Sequence, residues 1–175
     1  MTTQDPKTLA AQAAQVYQEG DFENAARLFG EAASAFLAQQ NALDAAEMQN
    51  NRSVACLMGQ NPQASLEAAQ GTAAIFSAAG DFRRAGMAFS NEATALESLG
   101  RQDEAMSIYR QAAGELEKAG EDQLRASVLQ AVAGIQLRKG KIFEALLSLR
   151  MGVMDVKQPT LKQKIMRALL RFLKA

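Results

Sequence analysis

The chain has 175 residues, 48 % of them apolar, with three prolines, one cysteine and no histidine, and its 19 basic and 19 acidic residues cancel. That length suits one domain with a real core, and the missing histidine removes the commonest general base near neutral pH and the commonest metal ligand. A lone Cys56 allows no internal disulfide, which fits a reducing, cytoplasmic setting.

Alanine dominates the apolar content, aromatics are 6 %, and prolines are too few to interrupt long helices, so the chain is predicted to be all-α. The polar start MTTQDPKT has no apolar stretch of the secretory kind, so no signal is expected. A first helix is predicted over 6–18 and a second over 22–38. Helices follow at 42–58, 62–78, 82–98, 103–118, 122–138 and 142–155, and a ninth follows Pro159. No apolar run reaches the roughly 20 residues that span a bilayer.

The helices fall into a repeat. Glycine followed five residues later by alanine occurs at Gly20–Ala25, Gly59–Ala64, Gly100–Ala105 and Gly140–Ala145, in steps of 39, 41 and 40 residues. Each glycine is expected to close a helix in the left-handed conformation, and each alanine to mark a close approach of two helices. Asn61-Pro62 fits an N-cap with proline in the first turn. Other columns keep the step: Phe36, Ile75, Leu116 and Val156; Leu9, Met48, Phe89 and Leu129; Phe29, Ala68, Tyr109 and Leu149. A second set of turns, at Gln40-Asn41, Gly80-Asp81 and Gly120-Glu121, separates the repeats. The units are 6–40, 41–80, 81–120 and 121–157, each a helix A and a helix B.

The G-D-F-x-x-A pattern with an aromatic four residues further on resembles the tetratricopeptide repeat. With its 40-residue period the chain is similar to the long-helix subclass of kinesin light chain and spindle-orientation adaptors. The runs NNRSVACLMG, from Asn50, and NEATALESLG, from Asn91, carry that likeness. The resemblance implies a right-handed superhelical solenoid over 1–158, of about four helix pairs, with helix A lining a concave side. It implies a non-enzymatic adaptor or scaffold that binds a partner protein or peptide. The residues placed in the groove are Gln49, Asn50 and Ser53, then Ser90, Asn91 and Thr94, then Gln130 and Arg138. Amides and hydroxyls both donate and accept, which suits an extended peptide backbone. The alternative is that these are inter-repeat or surface polar groups with no ligand. The cations of chaperone-tail clamps are missing, since Ala10, Ala14, Met87 and Asn91 stand at the matching positions.

No residue set supports catalysis, a metal or a cofactor. Cys56 has no histidine to activate it and reads as a small buried hydrophobe. The run GIQLRKGK from Gly134 has the wrong glycine spacing for a phosphate loop, Ile142 where a hydroxyl is required, and a helix end for context. Residues 159–175 form a basic amphipathic tail helix: Thr160 and Gln163 make a capping box, and Lys164, Arg167, Arg171 and Lys174 gather opposite an apolar arc. Such a helix caps the end of a solenoid, or docks as a peripheral or assembly element on an anionic membrane or an acidic groove. Nucleic acid is disfavoured by the shortage of aromatics. Residues 1–100 carry a net −6 and 101–175 a net +6. An elongated fold would keep unlike ends, suited to steering and to head-to-tail self-association.

Overall fold

Seven turns set the architecture. The backbone enters the left-handed region at Gly20, Gln40, Gln60, Gly80, Gly100, Gly120 and Gly140, a beat of 20 residues. At each, the amide of that residue bonds the carbonyl three back and the next amide reaches five back, as in Gly20 N–H to Tyr17 O and Asp21 N–H to Val16 O. That double bond closes one helix, and the residue after it starts the next. The computed structural model describes residues 5–171. The helices are α1 (Pro6–Gln18), α2 (Phe22–Ala38), α3 (Ala42–Met58), α4 (Pro62–Ala69), α5 (Thr72–Ala78), α6 (Phe82–Ser98), α7 (Gln102–Lys118), α8 (Asp122–Arg138), α9 (Ile142–Met154) and α10 (Leu161–Leu170). There is no strand among the described residues. Each helix packs on the one before it, except that α5 continues the path of α4 and packs on α3 and α6, so the chain is an all-helical repeat solenoid, with α10 laid against α9.

Two expectations are corrected. Gly59 is not the turn residue: its φ is −77, and Gln60 next to it takes φ 60. Left-handed backbone costs a non-glycine residue about 1–2 kcal/mol, yet the turn geometry outweighs it here. The true step is therefore 40 throughout, and the second repeat slides by one. Ser65, not Ala64, matches Ala25, Ala105 and Ala145. Phe76, 1 % exposed, matches Phe36 and Leu116, whereas Ile75 is 38 % exposed. Ala69 replaces Ala68 in the column of Phe29 and Tyr109, and Gln49 replaces Met48 beside Leu9 and Phe89.

The helix expected over 62–78 is broken. Gln70 is extended (φ −55, ψ 130) and Gly71 has φ 80, separating α4 from α5. Gly71 stands where the other repeats carry Glu31, Gln111 and Met151, so the local helix preference falls by about 1 kcal/mol. The Thr72 hydroxyl donates to the Ala69 carbonyl at 2.7 Å, satisfying an acceptor freed by the break.

Small residues let the helices approach. Ala13, Ala93 and Ala133 on the A helices and Ala25, Ala105 and Ala145 on the B helices are buried. At Gly86 a Cβ would lie 2.5 Å from Leu116 Cγ, so α6 and α7 need glycine at that crossing. The buried side chains form one cluster from α1 to α3, a small one joining α3, α5 and α6, and a large one from α4 through α6, α7 and α8.

Candidate partner-binding face

The A helices α3 and α6 carry the two asparagines expected in the groove, Asn50 and Asn91, and the structure brings them together. Asn91 Nδ2 donates to Asn50 Oδ1 at 2.9 Å, across successive repeats. Both are half-buried. With the 40-residue step Asn50 aligns with Ser90, and Asn91 with Asn51, so the bond is a diagonal one between repeats.

Further along the same face the hydroxyls and charges form a chain. Ser90 donates to the Gly86 carbonyl at 2.9 Å and Thr94 to the Ser90 carbonyl at 2.8 Å. The Thr94 hydroxyl also lies 3.0 Å from the Tyr109 hydroxyl, which donates to Glu97 at 3.1 Å. Glu97 in turn pairs with Arg138 of α8. Burial, opposed by the Thr94 hydrogen bond, pushes the Tyr109 phenol up to about 12, and the neighbouring Glu97 adds to the rise. It is a neutral donor at any ordinary pH. Sequence reasoning placed Tyr109 only in the core; its partners Thr94 and Glu97 sit 15 and 12 residues away, a distance no local pattern encodes.

Two expected groove residues lie elsewhere. Ser53 is fully buried and bonds Ser65 at 3.0 Å, so it faces helix B rather than a ligand. Gln49, one of the residues displaced by the slide, lines an open cavity of about 790 Å³ with Arg52, Cys56, Gly30 and Ala26. Here a polar residue occupies the position of Leu9, Phe89 and Leu129, and Leu9 lines the same cavity. Gln130 is exposed. Burial pushes the Cys56 thiol up, partly offset by Arg52, so it is held as a thiol. No group of three or more His, Cys, Asp or Glu residues is placed to hold a metal among the described residues. None of the described helices is long and apolar enough to cross a membrane.

The tail helix is divided differently from its expected wheel. Arg167 turns inward, donating to the Val153 carbonyl at 2.6 Å and to the Val156 carbonyl. Lys164 and Arg171 are exposed, and Lys174 lies outside the described residues. The Thr160–Gln163 capping box is formed.

Charge is distributed across the repeats as pairs. Glu47 of α3 meets Arg84 of α6, Glu97 meets Arg138 of α8, Asp103 of α7 meets Lys139, and Arg83 meets Glu121. Three of these four put the acid in one repeat and the base in the next. Part of the charge gradient along the sequence is therefore internal stitching.

A family model described as "SNAP: Soluble NSF attachment protein, SNAP" matches residues 3–169. No curated protein matches the chain.

Proposed function

This chain belongs to the soluble NSF attachment protein family, and on that footing we propose that it is a non-enzymatic adaptor that holds a partner on the face built by α3, α6 and α8. The family is one of helical protein-interaction adaptors, which supports a protein partner. Its description names NSF as what its members attach to, so a partner of the NSF kind is the first to try.

The Asn50–Asn91 bond carries the reading. It engages one polar group of each amide and leaves the Asn50 amino group and the Asn91 carbonyl oxygen. A donor and an acceptor held side by side match a peptide group of an incoming segment. Because the two amides fix one another, less side-chain freedom is lost on binding. Ser90, Thr94 and Arg138 continue the polar strip, with Arg138 exposed at its far end. The 40-residue beat, similar to that of the long-helix subclass of kinesin light chain, supports long helix pairs and a concave A face.

The test is a titration of immobilised full-length chain with an NSF-kind protein from the same cell, beside the Asn50→Ala/Asn91→Ala variant. Loss of about tenfold or more in affinity, with helicity unchanged, supports the face. Equal affinities would move the contact to the B helices or to the end of the solenoid. No binding of either protein would remove the NSF-kind partner and leave the face to be tried with others.

A further inference from the structure

The outward side of α10 is apolar where a cap should be polar. An extra helix that only closes a solenoid buries one face and presents a solvated one, because a polar outer surface keeps the array soluble. The inward side of α10 does the closing: Leu170 is buried, Arg167 bonds two carbonyls at the end of α9, and the Gln163 amide donates to Gln123 of α8 at 2.9 Å. The outward side carries Leu161, Ile165 and Leu169, which are 75 %, 55 % and 69 % exposed. Spacing of four residues sets them in one line along the helix. Lys162 borders that line on one side, and Lys164 and Arg171 border it on the other; all three are exposed.

We propose that this ridge is a docking surface for an anionic lipid membrane, with α10 lying flat in the headgroup region, Leu161, Ile165 and Leu169 entering the acyl boundary, and Lys162, Lys164 and Arg171 reaching lipid phosphates. Three observations select lipid. The first is the order of residues around the helix, an apolar line with cations on both flanks, which is the arrangement of a helix at a membrane interface. The second is charge: after Asp155 the chain has six basic residues and no acidic one. A negatively charged leaflet attracts such a segment. The third is that a second copy meeting this ridge face to face would set Lys162 and Lys164 against their own kind. The inference is independent of the partner proposed for the α3–α6–α8 face, since no residue is shared.

The experiment is co-sedimentation of the full chain with vesicles of phosphatidylcholine alone or with about 30 % phosphatidylserine, at low and at high salt. Two variants accompany it. Leu161→Ser/Ile165→Ser/Leu169→Ser removes the apolar line, and Lys162→Glu/Lys164→Glu reverses the flank. All five side chains are exposed, so both variants are expected to fold, which circular dichroism checks. The expected result is binding to the anionic vesicles only, weakened by salt and reduced about tenfold or more by either variant. Three outcomes overturn the proposal: no binding of the parent chain to anionic vesicles, binding that survives both variants, or a lipid-free self-association in sedimentation velocity that the serine variant abolishes while vesicle binding is absent. The last would assign the ridge to another copy of the chain. Capture of a defined acidic helical peptide with no vesicle binding would assign it to protein docking, and equally overturns the lipid.

Discussion

Ser53 and Ser65 stand at positions that are alanine in the other three repeats: Ala13, Ala93 and Ala133 for the first, Ala25, Ala105 and Ala145 for the second. Both are fully buried, and each is the other's partner. A buried hydroxyl without a partner costs about 1–3 kcal/mol, whereas removing both leaves nothing unsatisfied. Ser53→Ala and Ser65→Ala are therefore each expected to destabilise by about 1–2 kcal/mol, and the double variant by less than about 0.5 kcal/mol. Urea midpoints of the four proteins check this; additive losses would mean that the pair is not coupled. Tyr109 gives a second prediction. Its phenol is pushed up to about 12 in the fold, while the unfolded chain ionises it near 10. Between those values the folded state holds the extra proton. The stabilisation is complete below pH 10 and is lost as pH rises towards 12, roughly 2–3 kcal/mol in all. Tyr109→Phe should be less stable at pH 8, through loss of its Glu97 bond, but should show a shallower decline from pH 10 to 12. Parallel declines would place the alkaline sensitivity elsewhere.

At the level of helices, the seven turns are alike in backbone and unlike in chemistry. Asp21, Asn41, Asn61 and Asp81 each accept a bond from the amide three residues on, while Arg101, Glu121 and Lys141 hold the same backbone angles without a side-chain cap. Lys141 also puts a cation where the helix dipole favours an anion. Lys141→Asn is expected to stabilise α9 by about 0.5–1 kcal/mol, raising the melting temperature by about 1–4 °C. Differential scanning calorimetry reads it, and an unchanged or lower midpoint would show that the long-range attraction of Lys141 to Asp103 matters more than the missing cap. The same turns show what was legible in the sequence. The near-constant period and most helix boundaries follow from glycine, Asx residues and apolar spacing. The Gln60 turn did not, because Gly59 beside it is the better left-handed residue by local preference. That one-residue error carried Ser65, Phe76, Ala69 and Gln49 out of their columns. The break at Gly71 was invisible for a related reason: a single glycine within a helical run is tolerated in most contexts. Of the candidate face, the residue types were legible and their pairing was not. Asn50 and Asn91 bond across 41 residues, which a pattern of 40 does not specify.

Across the whole solenoid, stability is the sum of each repeat and its contacts with its neighbours, so the weakest junction decides how the molecule opens. The junction between the second and third repeats is built largely from small side chains where α3 and α5 meet α6. The cluster there is Ala46, Ala73, Phe76, Ala85 and Ala88, with one large side chain, while Leu66 of α4 crosses the same junction into the cluster of α6–α8. Arg84 of α6 spans this junction. Its guanidinium bonds Asp81 at 2.6 Å and Glu47 of α3 at 2.9 Å, and sits 4.8 Å from the Phe76 ring of α5. The two ion pairs are partly exposed and contribute about 0–1 kcal/mol each, and the contact with the ring about 0.5–2 kcal/mol. Arg84→Ala is expected to cost about 1–2 kcal/mol, the Glu47 and Phe76 share of it at one junction. In hydrogen exchange, α1–α3 should then lose protection before α6–α8, where the parent chain opens the two halves at closer free energies. Arg101→Ala is the control: its pair with Glu104 lies at the start of α7, spans no repeat boundary, and should leave the order of opening unchanged. If Arg84→Ala lowers protection equally in both halves, the alanine contacts of α3 with α5 and α6 couple the repeats by themselves. Arg84 would then act within α6 and not as a tie between repeats.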